Sequence, residues 1–204
     1  MSTQRELSSK GRMTRGAIEQ AARELFAERG FHGTTLADIT SAAGKSTAVL
    51  YRYFHDKEDL LAALAESFLT DVVEPSGLKV RLPESPEDTE FFTSVVGAYW
   101  AMFKPNIGVM IAVAQLAATR DRFAALQNEF RRFGMEMVAA SARRAQQHGY
   151  VLDLEPDHVA AAIALLFENF TVVFVGPSGP GWRISDSDAI ATLSTIWRRT
   201  LYGR

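Results

Sequence analysis

The sequence predicts an all-α protein of about nine helices, arranged as a small N-terminal domain and a larger C-terminal one. Apolar residues recur at helical spacing through most of the 204 residues. Ser, Thr or Asp precedes several of these segments and Gly or Pro follows them, as is typical of helix ends. The composition, 47% hydrophobic and 23% charged, is that of an ordinary soluble globular protein.

Composition and charge exclude several classes of protein. The chain has no cysteine, which excludes disulfides and thiolate metal sites. Its first residues lack the apolar core of a signal peptide, so we expect the protein to remain in the cytoplasm. Residues 1–57 hold nine Lys or Arg against six Asp or Glu, a net charge of +3, whereas the remainder carries −5. This asymmetry favours a nucleic-acid contact near the N-terminus.

The first helix is expected to begin near Thr14 and to end at Gly30. Its apolar stripe consists of Ile18, Ala21, Ala22, Leu25 and Phe26. Residues 1–13 are polar and basic and show no periodicity. They form either a flexible tail or an arm that adds phosphate or minor-groove contacts to DNA.

Two short helices separated by Gly44 are expected next. Thr35 and Asp38 have the spacing of a capping box, which starts the second helix. Gly44 can adopt a positive φ and turn the chain into the third helix, which Ser46 is placed to cap. The inward face of the third helix carries Leu50 and Phe54. Its other face carries Thr47, Val49, Tyr51, Arg52 and Tyr53, a set of side chains that suits the major groove of DNA.

The segment from Phe26 to Leu61 resembles the DNA-binding domain of the TetR (tetracycline repressor) family of transcriptional regulators. The matching residues are Leu25-Phe26, Gly30-Phe31, Thr34-Thr35, Asp38-Ile39, Ala43-Gly44, Ser46, Tyr51, Phe54, Lys57-Glu58 and Leu60. Two positions depart from the family's pattern, since Lys45 replaces a small apolar residue and Ala48 replaces a frequent glycine. The resemblance implies a sequence-specific regulator, most simply a repressor released from a palindromic operator by an effector.

The resemblance also implies which residues meet DNA: Thr35, Lys45, Ser46, Thr47, Ala48, Val49, Tyr51, Arg52, Tyr53 and Lys57. Thr35 and Lys57 would hold phosphates, and the two tyrosines would donate hydroxyl groups to the DNA backbone. Thr47, Ala48, Val49 and Arg52 would face base edges. For Lys45, a contact to a base or phosphate and a purely solvated side chain both remain open.

The larger domain is expected to contain six helices, and residues 1–56 and 57–204 are the predicted domains. Asp56 and Asp59 form a capping box for helix four, which would run to about Val73 and belong to both domains. Residues 74–86 are a predicted loop, after which Ser85 and Pro86 would start helix five. Three further helices are expected at about Ile107–Ala118, Asp121–Gln147 and Pro156–Val175. A ninth helix would be capped by Ser185 and Asp188. Its apolar stripe consists of Ile190, Leu193, Ile196, Trp197 and Leu201.

Helix eight is apolar almost all round and is long enough to cross a membrane. Glu168 and Asn169 interrupt it, however, and burial against its own domain and a second subunit explains the pattern better. The resemblance implies a homodimer through the last two helices, residues 159–175 and 190–201.

The aromatic residues of helices five to eight either pack a core or line a pocket for a small apolar effector. The candidate walls are Trp100, Phe103, Met110, Phe130, Phe133, Met137 and Phe167. Glu168 and Asn169 would supply polar contacts to the ligand or pair across the dimer. The sequence identifies neither the effector nor the operator.

No catalytic machinery is recognisable. The four histidines lack the spacing of a metal site, and no phosphate-binding loop or dinucleotide fingerprint is present, so we expect neither a metal nor a cofactor. Two alternatives to a ligand-released repressor stay open. One is a DNA-binding dimer without a ligand, and the other is an all-helical carrier of apolar molecules.

Overall fold

A computed structural model describes residues 8–72, 81–150, 152, 154–176, 179 and 181–203. Within this part of the chain the protein is entirely helical, as predicted. Its helices are α1 Ser9–Arg29, α2 Leu36–Ala42, α3 Thr47–Leu50, α4 Lys57–Val72, α5 Thr89–Phe103, α6 Ile107–Ala117, α7 Asp121–Gln147, α8 Pro156–Val175 and α9 Asp186–Tyr202. A short 3-10 helix, Lys104–Asn106, joins α5 to α6.

The first helix begins earlier than its apolar stripe indicates. The Ser8 hydroxyl accepts a hydrogen bond from the Gly11 N–H, so α1 starts at Ser9 and the predicted start near Thr14 is wrong. Residues 1–7 of the predicted N-terminal arm lie outside the described part of the chain. The predicted end at Gly30 is confirmed, because its φ of 72° lies in a region that suits glycine.

Local capping bonds confirm four other helix starts. Thr35 and Asp38 exchange both bonds of the predicted capping box at α2. Ser46 caps α3, and Ser185 caps α9 by accepting a hydrogen bond from the N–H of residue 188. Asp56 accepts a hydrogen bond from the N–H of residue 59 before α4. Val73, the predicted end of α4, and residues 74–80 of the loop lie outside the described residues.

The predicted start of α5 at Ser85 and Pro86 is wrong. The Asp88 carboxylate accepts a hydrogen bond from the Glu84 N–H at 2.7 Å, and the Asp88 N–H donates to the Ser85 carbonyl. These bonds close a turn before the helix, so α5 begins at Thr89. Side chains that bond to nearby backbone groups compete in this way with helix formation.

Two apolar clusters form the core. The first joins α1–α4 to α6 and the first half of α7, and it includes Phe26, Leu50, Phe68 and Ala112. The second joins α5 and α7–α9 around Trp197, whose indole N–H donates to the Ser141 hydroxyl at 3.2 Å. The division at residue 57 remains a prediction, and the first cluster extends across it.

α8 is long and apolar enough to cross a membrane, and so is the stretch Thr89–Ala117. Helices buried in the core of a soluble protein have the same composition. In this structure Val159, Ile163 and Phe167 of α8 are buried in the second cluster. The apolar length of α8 is therefore explained in part by packing within the chain.

Candidate functional sites

The turn between α2 and α3 gives the N-terminal domain its helix-turn-helix shape. Gly44 has a φ of 62°, which lets the chain reverse without steric strain. The Lys45 N–H then donates to the Thr40 carbonyl at 2.8 Å, which closes the turn. The Thr47 and Thr40 hydroxyl oxygens lie 3.4 Å apart and link the two helices directly.

α3 is a single turn, and two buried anchors hold it against the domain. Leu50 is fully buried and Phe54 is 2% exposed, as predicted for the inward face. The predicted DNA-binding residues Lys45, Ala48, Tyr51 and Arg52 are exposed, whereas Thr47, Val49 and Tyr53 are half-buried. The Ser46 hydroxyl accepts a hydrogen bond from the Val49 N–H at 3.4 Å, so it serves as a helix cap.

The N-terminus of α2 already holds a carboxylate. The Thr35 hydroxyl donates to Asp38 Oδ2 at 2.5 Å, and the Thr35 N–H donates to the same oxygen at 2.9 Å. These two bonds lower the pKa of Asp38 below its usual range. A phosphate at this helix end would therefore approach a site that is partly occupied by Asp38.

Lys57 is bound to the protein's own backbone. Its Nζ donates to the carbonyl oxygens of Phe31 and Thr34, both at 2.7 Å, and lies 4.4 Å from the centre of the Phe31 ring. An ammonium group has three N–H donors, so one remains for another acceptor. In this structure Lys57 fixes the α1–α2 connection, a role that the sequence analysis did not anticipate.

A cavity of about 390 Å³ lies in the C-terminal half, between α5, α6, α7 and α8. Seven of the nine predicted ligand-binding residues line it: Phe103, Met110, Phe130, Phe133, Met137, Phe167 and Glu168. Its volume and apolar walls are typical of small-molecule sites.

Two of the predicted wall residues do not line the cavity. Trp100 is buried in the second cluster and packs edge-on against Phe170. Asn169 is exposed on the surface. Both residues face away from the cavity for the same reason, since a neighbouring position on an α-helix points about 100° away, and the predicted pairing of Asn169 across a dimer stays a prediction. In each case the preceding residue, Tyr99 or Glu168, lines the cavity instead.

A hydrogen-bonded pair of hydroxyl groups lies on the cavity wall. The Tyr99 and Thr171 hydroxyl oxygens are 3.0 Å apart, and the Thr171 hydroxyl also donates to the Phe167 carbonyl at 2.8 Å. Burial raises the pKa of Tyr99 far above its usual range, and the nearby Glu168 adds to the effect. Tyr99 therefore stays protonated at physiological pH.

An ion pair borders the same wall. Arg131 Nε and Nη2 donate to the two oxygens of Glu168 at 2.7 and 2.9 Å, and Gln127 Nε2 donates to Glu168 Oε1 at 3.2 Å. The bonds to Glu168 raise the pKa of Arg131. Glu168 was predicted to contact a ligand or to pair across a dimer. Its charge is already neutralised by Arg131 within the chain, so neither contact is needed for that purpose.

The sequence analysis missed five polar residues that line the cavity: Ser94, Tyr99, Gln127, Arg131 and Thr171. One signal was present in the spacing, since Gln127 and Arg131 are four residues apart on α7, and Glu168 and Thr171 are three apart on α8. Such pairs share one helix face. The pairing of the two faces depends on how α7 packs on α8, which spacing alone does not predict.

Apolar side chains remain exposed on the last two helices. Leu165 and Leu166 of α8 are 44% and 39% exposed, and Ile196 of α9 is 37% exposed. Ile196 belongs to the predicted apolar stripe of α9, but Leu193 and Trp197 are buried on another face of the helix.

No group of three or more His, Asp or Glu side chains in the described part of the chain could hold a metal ion.

Comparison with known proteins finds matches in sequence and in fold. Residues 18–64 match the family model for bacterial regulatory proteins of the tetR family. The repressor AcnR of Corynebacterium glutamicum is 36% identical over 80 residues, which cover 38% of this chain and 43% of AcnR. The regulator UidR of Escherichia coli K12 is 27% identical over 169 residues, or 81% of each chain.

The fold is shared with solved structures over nearly its full length. A crystal structure of a putative transcriptional regulator from Saccharomonospora viridis, in complex with choline, superimposes with a TM-score of 0.69. The alignment covers 90% of this chain and 92% of that one, at 19% sequence identity. The match to AcnR spans less than half of that protein, whereas the structural match extends through both halves of this chain.

Proposed function

Since the chain belongs to the TetR family of transcriptional regulators, we propose that it binds a palindromic DNA operator as a homodimer and leaves it when a small apolar effector fills the cavity. One observation carries this proposal: α6 contributes both to the cavity wall and to the core of the DNA-reading domain.

The family is not one of enzymes. A cytoplasmic location follows, since the operator is chromosomal DNA.

The contacts to DNA divide by the exposure of each side chain. Ala48 in α3 and Arg52 just after it are exposed and would meet base edges, where a methyl group suits thymine and a guanidinium suits guanine. Tyr51 and Lys45 are exposed and would hold the phosphate backbone. The half-buried Thr47, Val49 and Tyr53 would contribute at the edges of this surface. Thr35 and the third N–H of Lys57 would reach flanking phosphates.

A homodimer through α8 and α9 would place two helix-turn-helix motifs on one face of the DNA. The exposed Leu165, Leu166 and Ile196 support this interface, since large apolar side chains at subunit contacts are buried on association. One helix-turn-helix reads about half a turn of DNA. Two half-sites would then lie roughly 34 Å apart or a multiple of that distance.

Effector release follows from linkage between the two states of the dimer. The dimer can adopt two different spacings of its helix-turn-helix motifs. A ligand that binds one spacing more tightly than the other shifts the equilibrium between them toward the spacing it prefers. Support comes from α6, where Ile107, Met110 and Val113 line the cavity and the adjacent Gly108 lies against the backbone of α1. A shift of this helix on ligand binding would reach α1 without an intermediate element.

The experiment that tests DNA reading is fluorescence anisotropy on duplexes from the region upstream of the protein's own coding sequence. A scrambled duplex at the same near-physiological salt is the control. We expect a preference of about 10³-fold or more, the low end for specific readers. Arg52→Ala should cost about 1–3 kcal/mol of binding free energy, whereas the exposed Arg183→Ala should cost nothing measurable. Equal, weak and salt-sensitive binding to all duplexes would contradict the proposal and favour a carrier.

The experiment that tests the cavity compares two phenylalanines. Phe133 is half-buried and lines the cavity, so Phe133→Ala should alter effector response while DNA affinity stays near wild type. Phe123 is 1% exposed in the first core cluster, so Phe123→Ala should cost about 3–5 kcal/mol of unfolding free energy. If Phe133→Ala unfolds the protein equally, its aromatic ring belongs to the core rather than to a ligand site.

A further inference from the structure

The cavity wall carries no uncompensated charge. Of the described residues that line it, two are ionised at neutral pH, Arg131 and Glu168, and they form a bidentate pair with each other. A cationic ligand would have to compete with Arg131 for Glu168, and an anionic ligand with Glu168 for Arg131. Either ligand would also lose its hydration on entry without gaining an opposite charge, which is costly. The wall therefore selects against both signs of charge.

The hydroxyl pair on the wall accepts a hydrogen bond rather than offering one. Thr171 has a single hydroxyl proton, which it donates to the Phe167 carbonyl. The bond between Tyr99 and Thr171 is then donated by Tyr99, so the Tyr99 proton is used as well. What remains on the Tyr99 oxygen is acceptor capacity. A ligand group that matches it must carry its own O–H or N–H.

The volume of the cavity suits a small molecule. It is about 390 Å³, within the range of small-molecule sites in proteins. The aromatic walls, including Phe103 stacked on Tyr99 at 4.3 Å between ring centres, favour an apolar body of this size. One polar group then suffices to orient the ligand.

From this geometry we propose that the cavity binds a small, uncharged and mainly apolar molecule that donates one hydrogen bond, from a hydroxyl or N–H group, to the Tyr99 oxygen. This inference rests on the proposed function in taking the cavity as the effector site. It adds the charge of the ligand and the donor character of its polar group. Tyr99 is accordingly the residue that sets specificity for the polar group.

The test uses matched probes with calorimetry and thermal melting. 2-Naphthol and decan-1-ol carry the donor, their methyl ethers lack it, and 2-naphthoate, decanoate and decyltrimethylammonium carry a charge. Wild-type protein should bind at least one alcohol about three- to tenfold more tightly than its ether, as one hydrogen bond allows. The charged probes should bind at least about tenfold more weakly than that alcohol.

Two tyrosine variants locate the effect. Tyr99→Phe keeps the ring that stacks on Phe103 and removes the acceptor oxygen, so the ratio of ether to alcohol dissociation constants should fall to about one. Tyr150→Phe is the matched control, because Tyr150 lies against Tyr202 and does not line the cavity. It should retain the wild-type ratio. Circular dichroism of both variants establishes that they are folded.

Three results would overturn the ligand class: tighter binding of a charged probe, an unchanged ratio in Tyr99→Phe, or no binding of either alcohol at its solubility limit. DNA release is measured separately by anisotropy. Alcohol binding without any release from the operator would contradict the proposed function but not the ligand class. Release by a charged compound that binds in the cavity would contradict the ligand class but not the proposed function.

Discussion

Gly108 of α6 lies directly against the backbone of α1, and its replacement by alanine should separate the two helices. A Cβ atom at this position would lie 2.3 Å from the Ala27 nitrogen and 2.5 Å from the Phe26 carbonyl carbon. Both atoms belong to the backbone of α1, so no side-chain rotation can relieve the clash. The clash can be relieved only by moving α6 away from α1.

The expected magnitude follows from two opposing effects. Overpacking of a core costs about 1–3 kcal/mol, and the backbone clash places Gly108→Ala near the upper end of this range. Replacing glycine by alanine inside a helix restores about 1 kcal/mol of helix propensity. We therefore expect a net loss of about 2 kcal/mol of unfolding free energy. Gly97→Ala in α5 is the matched control, because its Cβ would have no atom within 4 Å, and it should stabilise the protein by up to about 1 kcal/mol.

Urea denaturation followed by circular dichroism measures both variants, and anisotropy then measures DNA affinity where each protein is fully folded. Gly108→Ala should also weaken operator binding, since α1 shares its core with Leu50 of the recognition helix. Gly97→Ala should leave operator binding unchanged. If Gly108→Ala is as stable as Gly97→Ala, the contact between α6 and α1 is not tight and the coupling argument fails.

The remaining predictions concern single contacts. Lys57→Met removes two hydrogen bonds to backbone carbonyls and should cost about 2 kcal/mol of unfolding free energy, measured by urea denaturation. Lys45→Met is the matched control, because Lys45 is exposed. It should cost less than about 0.5 kcal/mol of unfolding free energy and should weaken operator binding instead. The Thr35 bonds lower the pKa of Asp38, so the stability that its carboxylate contributes is present above its ordinary pKa of 3.8 and is lost as pH falls through the lowered value. The urea midpoints of wild type and Asp38→Asn should therefore converge on acidification. Leu165→Glu places a charge on the proposed dimer face and should give a folded monomer in sedimentation.

Each of these predictions has a contrary outcome. Wild-type stability in Lys57→Met would contradict the structural role of its two carbonyl bonds and leave only the proposed phosphate contact. A difference between wild type and Asp38→Asn that grows at low pH would contradict the sign of the pKa shift. A dimer that persists in Leu165→Glu would place the interface elsewhere.

Helix starts were predictable where the cap is a bond between neighbours in sequence. The capping box of Thr35 and Asp38 forms as the spacing indicates, and so does the cap of α9 at Ser185. The start of α5 was not predictable in this way, because the Asp88 carboxylate binds the Glu84 N–H and makes no capping bond to the helix that follows it. Several residues in one segment can cap, and packing decides among them.

The sequence predicted which helices form the candidate cavity, but not all of the residues that line it. Aromatic residues at helical spacing on α7 indicated Phe130, Phe133 and Met137, and all three line the cavity. α5 is apolar on nearly every side, so its periodicity does not distinguish a wall residue such as Tyr99 from a core residue such as Trp100. That choice depends on the rotation of the helix within the bundle, which long-range packing determines.

The sequence analysis expected α4 to belong to both domains, and the structure shows that α6 also contacts both. Val109, Ala112 and Leu116 recur at steps of three and four and pack into the first core cluster with α1 and α4. Another face, with Met110 and Ala114, lines the cavity. Because a packed core transmits displacement rather than absorbing it, a ligand that moves the cavity face of α6 also moves the face that supports the DNA-reading helices. In the proposed mechanism, the helix that contacts the ligand also packs directly against the N-terminal helices, so α4 need not transmit the change by itself.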